Sequence, residues 1–232
     1  MQSLRAICFD LDNTFWDVVP VIMRAEQELH DWLAAHCPGA LAGDDIEALR
    51  RDREAVAHSH PHLRHDVSFL RQEALRRRLV AAGHGPELAL RAFEVFYAAR
   101  NRVDLFGDVV PALERLAGRY RLMTLTNGNA DLARIGIAHH FECSMTAADA
   151  GCAKPDERIF TVLLQRAGLQ PHEVLYVGDE PEVDIVGARR AGLAAAWINR
   201  GQQPWPIELP APTWSVADLT DLADCLLADQ ES

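Results

Sequence analysis

Asp10-Leu11-Asp12-Asn13-Thr14 sets two carboxylates two residues apart, directly behind a short apolar run from Leu4 to Phe9. Acids at the end of a buried strand are costly to desolvate unless a cation or hydrogen bonds compensate them. A divalent cation does so, and the pair can then divide its work. One acid attacks an electrophile while the other moves a proton. Asp-x-Asp alone also occurs in solvated turns, so the pair needs support from the rest of the chain.

Three further polar islands supply that support, two of them behind apolar runs. Leu122-Met123-Thr124-Leu125 leads into Thr126-Asn127-Gly128-Asn129. Lys154-Pro155 opens a helix-like segment. Val174-Leu175-Tyr176-Val177 leads into Gly178-Asp179-Glu180, with Asp184 five residues after Asp179. In this order the islands resemble the haloacid-dehalogenase-like superfamily of phosphotransferases, and they span Asp10 to Asp184. The resemblance implies catalytic roles for Asp10, Asp12, Thr126 and Lys154. Asp10 would be the nucleophile that forms an aspartyl phosphate, and Asp12 the general acid and base. Thr126, Asn127, Gly128 and Lys154 would bind the phosphoryl group. Asp10, Asp179 and the backbone carbonyl of Asp12 would hold magnesium. Asp184 would act through water or orient Lys154. The resemblance also implies that dehalogenases of this superfamily lack the second carboxylate, so Asp12 points to phosphate esters.

The elements that position these residues follow from hydropathy. Apolar runs predict strands at about 4–10, 121–126, 173–177 and 194–198, with a weaker one near 141–145. Helical patterns alternate with them at about 108–118, 129–136, 156–167 and 181–191, and a Pro-rich tail leads to a last helix at about 215–228. Alternation of this kind predicts an α/β fold, a Rossmann-like doubly wound parallel sheet that binds ligands outside the carboxyl ends of its strands. Asp10, Thr126 and Asp179 all fall at such ends. Asn127 and Gly128 are expected to open a helix whose N-terminus favours anions.

Residues 17–101 break the alternation. Val21, Ile22, Ala25, Leu29, Trp32 and Leu33 recur at helical spacing, as do Leu88, Ala89, Ala92, Phe93 and Phe96, and two more helices are expected at about 44–57 and 66–81. The resemblance makes this stretch a four-helix cap inserted after the first strand, with residues 1–16 and 102–232 forming the core.

Composition narrows the partners. The net charge is −11, from 23 Lys+Arg against 34 Asp+Glu, the wrong balance for a nucleic-acid binder. The basic runs at Arg50–Arg53 and Arg71–Arg78 read as solvated helix faces. The five widely spaced cysteines, with no C-x-x-C, fit free thiols in a reducing cytoplasm. Cys8 reads as a strand packing residue, and Cys152 as a passive neighbour of Lys154. No signal-peptide core or membrane-spanning run is visible, so the N-terminus is expected to be mature and structural. A small phosphorylated metabolite is the expected partner, with the chain a monomer or homodimer. His58, His60, His62 and His65 cluster, but Pro61 and the i, i+2 spacing keep their rings off one helical face.

Finer signals concern specificity. Asp17, Pro20-Val21-Ile22, Arg24-x-Glu26, His65-Asp66-Val67, Arg100-x-Arg102-Val103-Asp104 and Thr126-Asn127-Gly128-Asn129-Ala130 resemble bacterial phosphatases of riboflavin metabolism. Those act on 5-amino-6-(5-phospho-D-ribitylamino)uracil and flavin mononucleotide. Trp16 would stack on a planar base or pack between core and cap. Arg102 would offer a donor fork to the substrate or pair with Asp104. His65-Asp66 would cap the next helix or reach the substrate. The alternatives are a broader nucleotidase or sugar-phosphate phosphatase and, outside catalysis, a silent interaction protein on the same fold.

Overall fold

A computed structural model describes residues 4–41 and 46–228. Six parallel strands form one sheet: β1 (Ala6–Phe9), β2 (Arg121–Thr126), β3 (Cys143–Thr146), β4 (Val174–Gly178), β5 (Ala194–Ile198) and β6 (Trp214–Val216), in the order β3-β2-β1-β4-β5-β6. β1 is buried along its whole length, as a strand covered on both faces must be. It pairs with β2 from Ala6–Arg121 to Phe9–Thr124 and with β4 from Ala6–Val174 to Phe9–Val177. The strand order reverses between β1 and β4, so the three central strands deliver Asp10, Thr126 and Asp179 to the switch point. The expected doubly wound sheet is therefore present, with an added edge strand. Residues 214–216 pair with β5, where the hydropathy pattern suggested the start of the last helix.

The chain divides into two compact units: residues 1–17, 104–128 and 136–232, and residues 18–103 and 129–135. The second is helical. It contains α1 (Val18–His36), a single turn α2 (Pro38–Leu41), α3 (Ile46–Ser59), α4 (Val67–Ala81) and α5 (Glu87–Arg100). Val21, Ala25, Leu29 and Leu33 line the buried stripe of α1, four residues apart. Asp66 caps α4, its Oδ1 accepting from the Phe69 N–H at 2.8 Å. Among the described residues no helix is long and apolar enough to cross a membrane.

The later helices are α6 (Val109–Ala117), α7 (Leu132–Ile135), α8 (Ala147–Ala150), α9 (Glu157–Ala167), α10 (Gly187–Arg190) and α11 (Leu219–Ala228). Two depart from expectation. The helix expected at 129–136 is a single turn, because Asp131 takes the N–H groups of Ala133 and Arg134, and Gly136 ends it at φ +93°. This segment groups with the helical unit, where the Asp131 N–H donates to Asn101 Oδ1 at 2.7 Å. The helix expected at 181–191 opens as a wide turn, Pro181–Val186, before α10. There the N–H groups of Asp184 and Ile185 both point at the Glu180 carbonyl, at 2.9 and 3.4 Å. Such insertions re-aim a side chain, here Asp184.

Candidate active site

The carboxyl ends of β1 and β4 set three acids around one lysine. Carboxylate oxygens of Asp10, Asp179 and Asp184 lie within 4.8 Å of one another. The Lys154 ammonium donates to Asp10 Oδ1 at 2.6 Å, to Asp184 Oδ1 at 2.7 Å and to the Tyr176 hydroxyl at 2.8 Å. Its three donors are thus matched by three buried acceptors. Burial alone would lower the Lys154 pKa, but Asp10 and Asp184 overcome that and hold it above its ordinary value. Burial pushes Asp10 up, against the pull of Lys154. Asp179 is pushed up to about 7 by burial and by the neighbouring Asp184 and Glu180.

This charge balance tests the fit to a divalent cation. Three carboxylates face one ammonium, and Asp184 is already committed: Oδ1 to Lys154, and Oδ2 to the Glu180 N–H at 3.0 Å. Asp10, which gives only Oδ1 to Lys154, and Asp179 would hold a hard cation, and an oxygen-only donor set matches magnesium better than zinc. Thr14 Oγ1 lies 3.4 Å from Asp179 Oδ1, and the Trp197 indole N–H donates to the Asp179 carbonyl at 2.7 Å. A cavity of about 410 Å³ opens beside Asp179, between Asn13, Pro181, Trp197 and Arg200.

Several expected placements change. A Cβ at Gly178 would overlap the Asp184 carboxyl, so the glycine makes room for that side chain. Asn127 was expected on the phosphoryl group. Its side chain instead clamps the Lys154 backbone, accepting from the Lys154 N–H at 2.8 Å and donating to the Lys154 carbonyl at 3.0 Å. Thr126, buried at the end of β2, accepts the Gly128 N–H at 2.9 Å. The helix after Gly128 starts only at Leu132, so no helix N-terminus stands at Asn127–Gly128.

Trp16 is wholly buried and so presents no face for a base to stack on. Its indole N–H donates to Asp12 Oδ1 at 2.9 Å. Arg102 pairs with Glu28 instead of Asp104, and it lies with His65 in the helical unit. Cys152 packs among the buried apolar residues of the core unit. The residues that sequence reasoning missed are Tyr176, Thr14 and Trp197. Tyr176 donates to the Leu125 carbonyl at 3.0 Å while receiving Lys154. A tyrosine in an otherwise aliphatic buried strand was the available signal, since a buried phenol needs a partner.

Known proteins share this arrangement of chain and fold. The chain is 32% identical over 203 residues to the 5-amino-6-(5-phospho-D-ribitylamino)uracil phosphatase of Escherichia coli (strain K12), covering 86% of this chain and 85% of that protein. It is 31% identical to the phosphoserine phosphatase of Thermus thermophilus, over 94% of this chain and 98% of that one. A crystal structure described as a 2-haloacid dehalogenase from Pseudomonas syringae pv. Tomato DC3000 superposes with a TM-score of 0.91 at 37% identity, over 97% of this chain and 99% of that one. Residues 4–192, which carry every strand-end acid and Lys154, match the haloacid dehalogenase-like hydrolases, and the chain belongs to that family.

Proposed function

We propose that this hydrolase is a magnesium-dependent phosphomonoesterase working through an aspartyl phosphate. The observation that carries the reading is Asp12. A second carboxylate two residues after the attacking one serves an alkoxide leaving group, which needs a proton, whereas a halide does not. In this reading an Asp10 oxygen attacks phosphorus as the bond from phosphorus to the ester oxygen breaks. Asp12 gives its proton to that oxygen. Water then attacks the aspartyl phosphate, Asp12 takes back a proton, and inorganic phosphate leaves with Asp10 restored. Thr126 and Lys154 cradle the phosphoryl oxygens, and Asp184 holds Lys154 in place. Magnesium, held by Asp10, Asp179 and the Asp12 carbonyl, supplies positive charge to the phosphoryl oxygens when bound.

A second reading, dehalogenation, is favoured by the 37% identity to the Pseudomonas syringae structure. One experiment separates the two. The purified protein is given p-nitrophenyl phosphate or L-2-chloropropionate, with and without magnesium, and phosphate and chloride release are followed. Magnesium-dependent phosphate release without chloride release is expected, and chloride release alone overturns the proposal.

For the substrate we take the ribitylamino-uracil phosphate first, on the motifs around Asp17, His65 and Arg102 and the Escherichia coli relative. Phosphoserine, glyceraldehyde 3-phosphate and pyrimidine nucleoside monophosphates follow from other relatives. Highest kcat/KM for the ribitylamino-uracil phosphate supports the branch. Equal values across the panel leave a broad phosphomonoesterase.

A further inference from the structure

Asp12 lies in a tight turn that brings residue 16 back beside it. Thr14 N–H and Phe15 N–H both donate to the Leu11 carbonyl, at 3.2 and 2.8 Å. Asn13 takes φ +60°, a left-handed geometry that asparagine tolerates, and its N–H donates to the Trp16 carbonyl at 2.8 Å. Asp12 and Trp16 then pair as an isolated parallel bridge. The Trp16 ring is 0% exposed and meets Phe15 edge-on, with centroids 6.3 Å apart. A buried indole N–H must find an acceptor, and it finds Asp12 Oδ1.

We propose that Trp16 is a positioning residue for the general acid, its indole N–H holding Oδ1 and so fixing the orientation of the Asp12 carboxyl. That bond fixes the plane of the carboxyl relative to the turn. As the Asp12 O–H bond breaks and the proton passes to the leaving alkoxide, the electron pair stays on the carboxylate. The indole N–H then becomes a charge-assisted donor to Oδ1. No group is consumed, and the turn that holds both residues lies within the core unit. The inference rests on the reading of Asp12 as the acid, and its test separates the two.

That test is the dependence of kcat/KM on the leaving group. This ratio covers the steps up to release of the alcohol, and only a poor leaving group needs the proton. Trp16→Phe should lose about tenfold in kcat/KM on a primary alkyl phosphate while staying within about twofold on p-nitrophenyl phosphate. Asp12→Asn should show the same selectivity with a larger loss, about 100-fold or more on the alkyl ester. Should Trp16→Phe fold poorly, 3-benzothienylalanine at position 16 keeps the fused ring and removes only the N–H, and the same selectivity is expected. If Asp12→Asn is selective and the Trp16 variants lose both substrates equally, or neither, the positioning role is overturned while the acid stands. If Asp12→Asn itself shows no selectivity, the acid assignment falls and the Trp16 inference with it.

Discussion

Each unit of this protein buries a cluster of charge, and the two are unbalanced in opposite directions. In the core unit Asp10, Asp179 and Asp184 surround Lys154. In the helical unit Glu26, only 2% exposed on α1, takes Arg50 from α3 at 2.6 and 2.9 Å and Arg53 at 3.0 Å. Arg71 of α4 stands 3.6 Å from Glu26, with its guanidinium 3.4 Å from the centre of the Phe96 ring. The excess positive charge there is relieved locally. Arg50 and Arg53 reach water, and the aromatic face receives Arg71. Arg71 is still pushed down to about 9, by burial first and by Arg53 next. In the core cluster Asp10, Asp184 and Lys154 are buried, and Asp179 is half-buried beside the cavity. That cluster's surplus of acid is what a divalent cation would neutralise, so one imbalance suits a metal site and the other staples helices together.

The sharpest way to break the comparison is to remove one acid from each cluster. Asp10→Asn deletes the attacking oxygen and should cost at least about a thousandfold in turnover. It also removes one of three crowded carboxylates, so thermal stability should hold or rise. A melting curve beside the turnover assay checks both, and an active Asp10→Asn protein would remove the nucleophile from the reading. Glu26→Gln should do the reverse. It leaves Arg53 and Arg71 facing a neutral amide, while Arg50 keeps Glu47, and it should cost about 2 kcal/mol of folding stability. That lies below the usual cost of breaking a buried pair, because Arg50 is partly exposed and screened by solvent. Denaturant titration measures it, and kcat should stay near wild type. An unchanged midpoint would show that the arginines hold the helices together without their shared acid.

The two clusters also differ in how far the sequence disclosed them. Asp10, Thr126 and Asp179 were legible because each follows an apolar run, and a parallel sheet sends such ends to one edge. Lys154 was legible only through the order of the motifs. Glu26 stood out only in the motif Arg24-x-Glu26, and its burial was not legible, since an acid on an amphipathic helix reads as surface until three arginines from other helices turn toward it. Trp16 and Tyr176 failed for another reason. Hydropathy counts their rings but is blind to the one polar atom that each must satisfy, so the hydrogen bonds to Asp12 and Lys154 stayed hidden. The breaks at α7 and before α10 follow from local competition. Asp131 takes backbone N–H groups, and the Glu180 carbonyl accepts two of them. The three residues of β6 are too few to show a period of two.

Acid sharpens the comparison with a smaller effect of opposite sign in the two units. Glu26 lies below its ordinary value: burial alone would raise it, and Arg50 and Arg53 overcome that. A lowered acid contributes stability above its unfolded pKa, ordinarily 4.5, and the contribution fades as pH falls through the folded value. Asp179 is raised from 3.8 to about 7, with burial the largest cause and Asp184 next. In the metal-free protein the native state therefore binds more protons than the unfolded chain between those values. Its contribution is present at low pH and is lost as pH rises toward 7. Magnesium must displace the same proton. Its apparent affinity should fall by about tenfold for each pH unit below 7, and its stabilising shift in Tm should grow from pH 5 to 7.5. Calorimetric titration of magnesium at stepped pH reads the first, and melting with and without the ion reads the second. Asp179→Asn should flatten the pH dependence and weaken binding throughout, whereas Glu26→Gln should leave the magnesium curve where it was. A magnesium affinity that ignores pH across this window would mean that Asp179 is already ionised without the cation, and the core cluster would then resemble the helical one in balancing itself.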